Sequence, residues 1–318
     1  MARRVLITGG AGFIGSHLAE GLLTAGFEVV ALDNEATGDR ANLPAGAEFV
    51  RGDVRDAAAL DAVFARGIDA VLHVAGQASI RVSFADPAGD LEVNTLGTIR
   101  VLEACLRHRV PRLLFASSMT IYGSQPVTPT PETAPPDPIS YYAITKLAAE
   151  RYVHATALRP DLGFDFQVTS FRMFNVYGPR QSLTNAYQGV FAIFVGNALR
   201  GEPITIYSDG EQARDFVHVS DVTRAWITAL DHPAAMGQVF NLGTGVPTRV
   251  NTLADIVLRA FGQTRDSYPV VYKPAHAGDM RLSAADISRA REALGWVPQV
   301  RIEDGMAETI AWARSRSS

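Results

Sequence analysis

Short, unbroken apolar runs alternate along the first half of the chain with longer stretches in which apolar residues recur every three or four positions. An uninterrupted run suits a strand buried on both faces, and the longer repeat suits a helix with one buried face. Val5-Leu6-Ile7 is the first such run. Residues 16–25 carry a helical pattern that Gly26 stops. A second strand over 28–32 ends in Asp33. Further strands are expected at 47–51, 70–73 and 112–116, separated by helical patterns at 56–65 and 86–108. Such alternation builds a doubly wound parallel sheet, because parallel neighbours need a crossover connection.

Pro126, Pro129, Pro131, Pro135, Pro136 and Pro138 mark a surface loop. A long helix over 141–158 follows, then a strand at 166–171. Past Asn175 the pattern loosens into a helix at 189–199, a short strand at 204–207 and a helix at 221–230. Next come a strand at 238–242, a helix at 253–261 and an amphipathic tail helix at 303–314. No internal repeat interrupts this order.

Composition narrows the class. A chain of 318 residues implies one large or two intimate domains, and 47% apolar with 19% charged residues is ordinary for a globular protein. A net charge of −4 gives no footprint for nucleic acid or an anionic membrane surface. No apolar run reaches the length of a membrane span. The chain enters its first strand within a few residues, which leaves no room for a signal peptide. Cys105 is the one cysteine, so no intrachain disulfide forms. These features together point to the cytoplasm. The seven histidines are scattered without metal-ligand spacing, so no metal is expected.

The first strand runs into Gly9-Gly10-Ala11-Gly12-Phe13-Ile14-Gly15. Gly9, Gly12 and Gly15 permit a tight turn, a close backbone approach to a pyrophosphate and close helix–strand packing, and Phe13 and Ile14 lie on the same turn. The helix N-terminus offers open N–H groups to phosphates. Asp33, followed by Asn34, is placed for a ribose 2′-hydroxyl. No arginine directly follows it, which favours NAD over NADP. Asp53, in Gly52-Asp53-Val54, either accepts from an adenine amine or caps the helix beginning near residue 56. Downstream, Tyr142 and Lys146 stand four apart on one helical face. The ammonium is expected to draw the phenol from ~10 toward neutrality, making an acid/base for a sugar hydroxyl.

With these residues the chain resembles the extended short-chain dehydrogenase/reductase family, and within it the nucleotide-sugar 4-epimerases of the UDP-glucose 4-epimerase type. The resemblance spans nearly the whole chain. It rests on residues 8–16, on Ser117 through Gly123, on Tyr142 through Lys146, on Arg172 through Arg180, on Asp209 through Val217 and on Asn241-Leu242-Gly243. It implies a Rossmann-like α/β fold with a smaller C-terminal α/β substrate domain. Residues 1–174 plus 215–245 would bind NAD, and 175–214 plus 246–318 a nucleotide-diphosphate sugar. Tyr142 would be the acid/base, Lys146 would bind the nicotinamide ribose and Ser118 the sugar C4 oxygen. Asn175 and Arg214 would hold the diphosphate, Ser83 the hexose and Tyr207 the base, and Asp279 would join the substrate site. Asn94 would be a structural residue on the cofactor side. The reaction implied is 4-epimerisation through a transient 4-keto sugar. A homodimer is expected through the helices around 90–108 and 141–158.

Three departures from the family pattern stand out. His276-Ala277-Gly278-Asp279 has no arginine where the family carries a phosphate clamp, leaving His276 or Arg281 to serve. Ser208 replaces a common glycine. Ser283 stands at the position that limits substrate size, and a small residue there leaves room for an N-acetyl group. The acid pair of 4,6-dehydratases is replaced by Met119 and Thr120, and the glutamate that decarboxylases carry at position 120 is missing as well. A 4-ketohexose reductase remains the enzymatic alternative, and a non-catalytic NAD-binding sensor or scaffold is the alternative of another class.

Overall fold

The computed structural model describes residues 2–183, 189–274 and 281–316. Its first half runs β1 (Arg4–Thr8), α1 (Phe13–Thr24), β2 (Glu28–Asp33), β3 (Glu48–Arg51), α2 (Ala57–Phe64), β4 (Ala70–His73), α3 (Ile80–Ala85), α4 (Pro87–Leu91), α5 (Gly97–Arg107), β5 (Arg112–Ser118) and α6 (Tyr141–Ala157). The second half runs β6 (Gln167–Met173), β7 (Asn175–Tyr177), α7 (Val190–Arg200), β8 (Ile204–Tyr207), β9 (Ala213–His218), α8 (Val219–Asp231), β10 (Gln238–Leu242), β11 (Pro247–Arg249), α9 (Val250–Ala260), β12 (Val270–Lys273), β13 (Leu282–Ser283), α10 (Ser288–Leu294) and α11 (Ile302–Arg316).

Seven strands pair in the order β3-β2-β1-β4-β5-β6-β10, every neighbour parallel. This is the doubly wound Rossmann-like sheet expected from the alternation. Both faces are covered, so its strands carry no polar alternation. Val5 and Ile7 pack with Leu18, Leu22 and Trp226 from α1 and α8 on one face. Leu6 packs with Phe64, Leu102, Cys105 and Val153 from α2, α5 and α6 on the other.

The smaller unit is built on β9, which pairs with β7 and β13 in parallel and with β11 antiparallel. A parallel pair, β8 with β12, lies beside it. Phe191, Phe194, Phe216, Leu253 and Met306 form its core.

One expectation is corrected. The helix expected over 86–108 is interrupted by a π turn over Glu92–Leu96. There Asn94 turns inward and bonds both backbone groups of Gln77, with Gln77 N at 2.9 Å and Gln77 O at 3.0 Å. A widened turn accommodates that inward amide, and apolar spacing carries no trace of it. Elements of the second half cross between the two units. β9 carries residues 215–218 into the smaller sheet, while Ala290 and Leu294 of α10 join the core of the larger one. Periodicity gives an element's type but not its partner.

Candidate active site

The glycine loop lies at the carboxyl end of β1. Gly9 has φ +71, and a Cβ there would meet Ala75 backbone at 2.8 Å. A Cβ on Gly15 would stand 2.1 Å from Gly9 O, so α1 rests directly on the turn. Gly12 caps α1 with no side chain, leaving the first N–H groups facing the cleft. On Gly12 the nearest contact for a Cβ is Gly9 O at 3.2 Å. A turn this tight, with open N–H groups, fits a dinucleotide pyrophosphate.

The end of the cleft beside β2 is acidic. Asp33, at the end of β2, accepts from Ala11 N at 3.0 Å and from Glu35 N at 2.7 Å. Burial pushes its carboxyl up, and those backbone donors partly offset the rise. Asp53 is gripped by Arg55 and by Asn34 Nδ2 at 2.8 Å. Arg55 holds the Asp53 carboxyl well below its ordinary range. Asp56, not Asp53, caps α2 by accepting from Ala58 N and Ala59 N.

A cleft of about 490 Å³ runs from this end to the smaller unit. Gly9, Gly12, Phe13, Ile14 and Gly15 line it together with Asp33, Asn34, Asp53 and Val54, whereas Lys146, expected at the nicotinamide ribose, does not reach its surface. Ser118 and Tyr142 line it too, and Asn175 lines its wall from β7.

Ser140 caps α6 by accepting from Ala143 N, which fixes the register that aims Tyr142 at the cleft. Ser118 ends β5, accepts from Thr120 N at 3.2 Å and hydrogen-bonds the Tyr142 phenol. Ser118 therefore both caps a turn and meets the phenol. Lys146 sits one turn below, 5% exposed, its ammonium 4.4 Å from the Phe115 ring centroid. The expected depression of the phenol is corrected by its burial. Burial pushes Tyr142 up, the Ser118 hydrogen bond opposes, and Asp90 adds to the rise. Burial also pushes Lys146 down to about 8, against the pull of Asp90 and Glu150.

Other expected positions fall elsewhere. Ser83 is fully buried inside α3 and bonds Ile80 O at 2.7 Å, so it neither lines the cleft nor caps the helix, which Ser79 does. Tyr207 ends β8 and Arg214 lies in β9 opposite Ser283, and neither lines the cleft. Arg281 forms a salt bridge with Asp209 at 2.8 Å. Asp279 and His276 lie outside the described residues. Ser208 adopts φ +61, the left-handed region, which explains why glycine suits that turn.

Several residues escaped the sequence reading. Gly76 and Gln77, beyond β4, form cleft wall, as do Gln181 and Phe216. Asp215, fully buried, gathers Thr244 N, Gly245 N and Ala285 N. Its place in the 209–217 segment was the available signal. Among the described residues no cluster of histidine, cysteine or carboxylate could hold a metal ion. No described helix is long and apolar enough to cross a membrane.

A two-unit Rossmann-like fold with Ser, Tyr and Lys beside a dinucleotide cradle defines the extended short-chain dehydrogenase/reductase class. Residues 5–243 match the NAD dependent epimerase/dehydratase family, and the chain belongs to it. It is 38% identical over 320 residues to the UDP-glucose 4-epimerase of Mycolicibacterium smegmatis, covering 99% of each chain. The Thermotoga maritima UDP-glucose 4-epimerase, solved with UDP-glucose, superposes with TM-score 0.92 at 39% identity, covering 99% of this chain and 100% of that one. The Thermus thermophilus UDP-glucose 4-epimerase, solved with NAD, gives TM-score 0.89 at 39% identity, covering 98% and 99%.

Proposed function

We propose that this NAD-dependent enzyme is a nucleotide-sugar 4-epimerase, acting on UDP-glucose or a related hexose. The observation that carries the reading is Tyr142, paired with Ser118 and backed by Lys146, on a cleft that joins the glycine loop to Asn175 and Phe216. Bound NAD supplies a hydride acceptor and donor that is restored in each turnover. Tyr142 takes the proton of the sugar 4-hydroxyl and returns it after the 4-keto hexose has turned over within the cleft. Ser118 holds the C4 oxygen toward the phenol. Lys146 supplies positive charge that favours the phenolate. The glycine loop and Asp33 bind the cofactor through its pyrophosphate and adenosine ribose, and Asn34, Asp53 and Val54 complete that end. Asn175, on the cleft wall, anchors the diphosphate, and anchoring there keeps the intermediate bound.

Met119 and Thr120 offer no acid pair for dehydration, which favours epimerisation within the family. Asp33 favours retained NAD, which weighs against a ketosugar reductase. Ser283 is small, and it supports acceptance of an N-acetyl group. Ile80, Phe84, Leu91, Tyr141, Ile144 and Tyr152 expose apolar surface on α3, α4 and α6. Their arrangement supports a homodimer, for which light scattering should give twice 34.2 kDa. The buried lone Cys105 agrees with work in a reducing cytoplasm.

The test is product analysis by NMR with UDP- and deoxythymidine-linked glucose, N-acetylglucosamine and glucuronate, first without added cofactor and then with NAD. Galacto-configured products are expected. No turnover anywhere on the panel would transfer the weight to a reductase or a non-catalytic NAD binder.

A further inference from the structure

Asp90 on α4 is 1% exposed and has only neutral hydrogen-bond partners. Its Oδ1 accepts from Gln77 Nε2 at 2.7 Å and Asn94 Nδ2 at 3.0 Å. Its Oδ2 accepts from Thr145 Oγ1 at 2.6 Å, the residue beside Lys146. A buried carboxylate without a cationic hydrogen-bond partner is expensive to keep unless a nearby charge compensates it. The cation in the same enclosure is Lys146. A Cβ on Gly76 would stand 2.9 Å from Asn94 Oδ1 and 3.9 Å from Lys146 Nζ, so the ammonium and Asp90's own partner flank one backbone position. Glu150, the other carboxylate near Lys146, is already engaged by Arg172.

We propose that Asp90 is a positioning residue whose negative charge keeps Lys146 an ammonium in its dry site and so sets the pH range over which the Tyr142–Lys146 pair works. The inference rests on the reading of Tyr142 as the acid/base of the proposed epimerase. The charged and titratable groups around the pair are Asp90 from α4, Lys146 and Glu150 from α6, Arg172 from β6 and His73 from β4. Ser118 of β5 adds a neutral hydroxyl. Burial holds His73 neutral, and Arg172 offsets Glu150, which leaves Asp90 as the unbalanced charge. Removing a negative charge weakens the hold on every proton nearby, so both apparent pKa values of the coupled pair must fall together.

The geometry supplies a clean variant. In Asp90→Asn the amide oxygen still accepts from Gln77 and Asn94, and the amide nitrogen donates to Thr145 Oγ1. That hydroxyl can then turn its own proton to Tyr142 O, 3.0 Å away. Charge is lost and the hydrogen bonds remain. One unit charge removed at about 10 Å, at an effective dielectric of about 20, moves a pKa by about one unit, tenfold in proton affinity.

The experiment titrates ring-labelled tyrosine by NMR in the NAD-saturated protein, with the Tyr142 signal assigned by its loss in Tyr142→Phe. In parallel, the pH–rate profile of epimerisation is recorded. Asp90→Asn should move the Tyr142 transitions and the whole rate profile about one unit toward acid. Asp86→Asn, which changes an exposed carboxylate capping α4, should move neither. Unchanged Tyr142 transitions in Asp90→Asn would overturn the proposal even if wild type epimerises normally. A shifted titration in a protein that turns over no sugar nucleotide would uphold the electrostatics and sink the epimerase reading. Should Asp90→Asn fail to fold, Asp90→Ser, which leaves a hydroxyl for Asn94, is read the same way.

Discussion

Replacing Glu150 by alanine should destabilise the protein by about 3–5 kcal/mol, the usual effect of leaving one member of a buried ion pair without its partner. Glu150 is 2% and Arg172 6% exposed. The carboxylate accepts from Arg172 Nη2 at 2.6 Å, from Arg172 Nε at 3.1 Å and from Ser117 Oγ at 2.5 Å. Arg172 Nη1 separately donates to Tyr122 OH and Glu132 O, both at 2.9 Å. Alanine at 150 would therefore strip two N–H donors and one hydroxyl of their acceptor in a dry site, while Arg172 stays tethered by Nη1. At about 2 °C per kcal/mol for a chain of this size, the thermal midpoint should fall by roughly 6–10 °C. Circular dichroism melts of NAD-free protein measure this. The double variant Glu150→Leu with Arg172→Met removes both charges and should regain more than half of the loss. A fall below about 1 kcal/mol for Glu150→Ala, or a double variant as unstable as the two single losses combined, would refute the assignment of a desolvated, mutually dependent pair. Glu150 lies one turn beyond Lys146, so a folded Glu150→Ala should also lose turnover rate more than substrate affinity.

Tyr142→Phe should lower turnover by about two to four orders of magnitude while NAD binding persists, checked by cofactor quantification on the purified protein. Asp33→Asn should weaken NAD about tenfold or more and narrow its advantage over NADP, measured by calorimetry. Ser208→Gly, relieving a φ of +61, should raise stability by about 0.5–1 kcal/mol in denaturant titration. Burial pushes His17 down to about 4 and His73 down to about 3. The unfolded chain therefore binds protons below about pH 6.5 that the folded one refuses. Stability should be fully present above pH 6.5 and fall on acidification, by about 1 kcal/mol per histidine between pH 6.5 and 5.5. A midpoint that is flat across that window would contradict it.

Local signals carried much of this. The glycine loop, Asp33 and the Tyr142/Lys146 spacing are each readable within a few residues, because each depends on one turn or one helical face. The large sheet followed from the same locality, since its strands alternate with their crossover helices. What escaped depends on distant pairing. Asp90 looks like a surface residue of an amphipathic helix until the π turn brings Asn94 and Gln77 onto its carboxylate. Ser83 was expected at the hexose, yet it lies inside α3, whose N-cap is Ser79, and its hydroxyl turns back onto Ile80 O. The rise in Tyr142 was also out of reach, because the spacing to Lys146 reveals neighbouring charge but not the loss of water around both.

The placement of β10 has a consequence for synthesis. The large sheet is finished by residues 238–242, after the chain has left it to build β7, β8 and β9. A nascent chain that has emerged only through β6 holds six of seven strands, and the outermost, β6, shows an unpaired edge along residues 167–173. Such an edge templates pairing with other chains. Its cover arrives about 65 residues later, several seconds at ordinary translation rates. Phe171 and Met173 of β6 wait through that interval for Phe240 and Leu242. Fragments ending before β10 should therefore aggregate rather than persist as a free cofactor-binding module, and slowing translation between β6 and β10 should lower the yield of native protein.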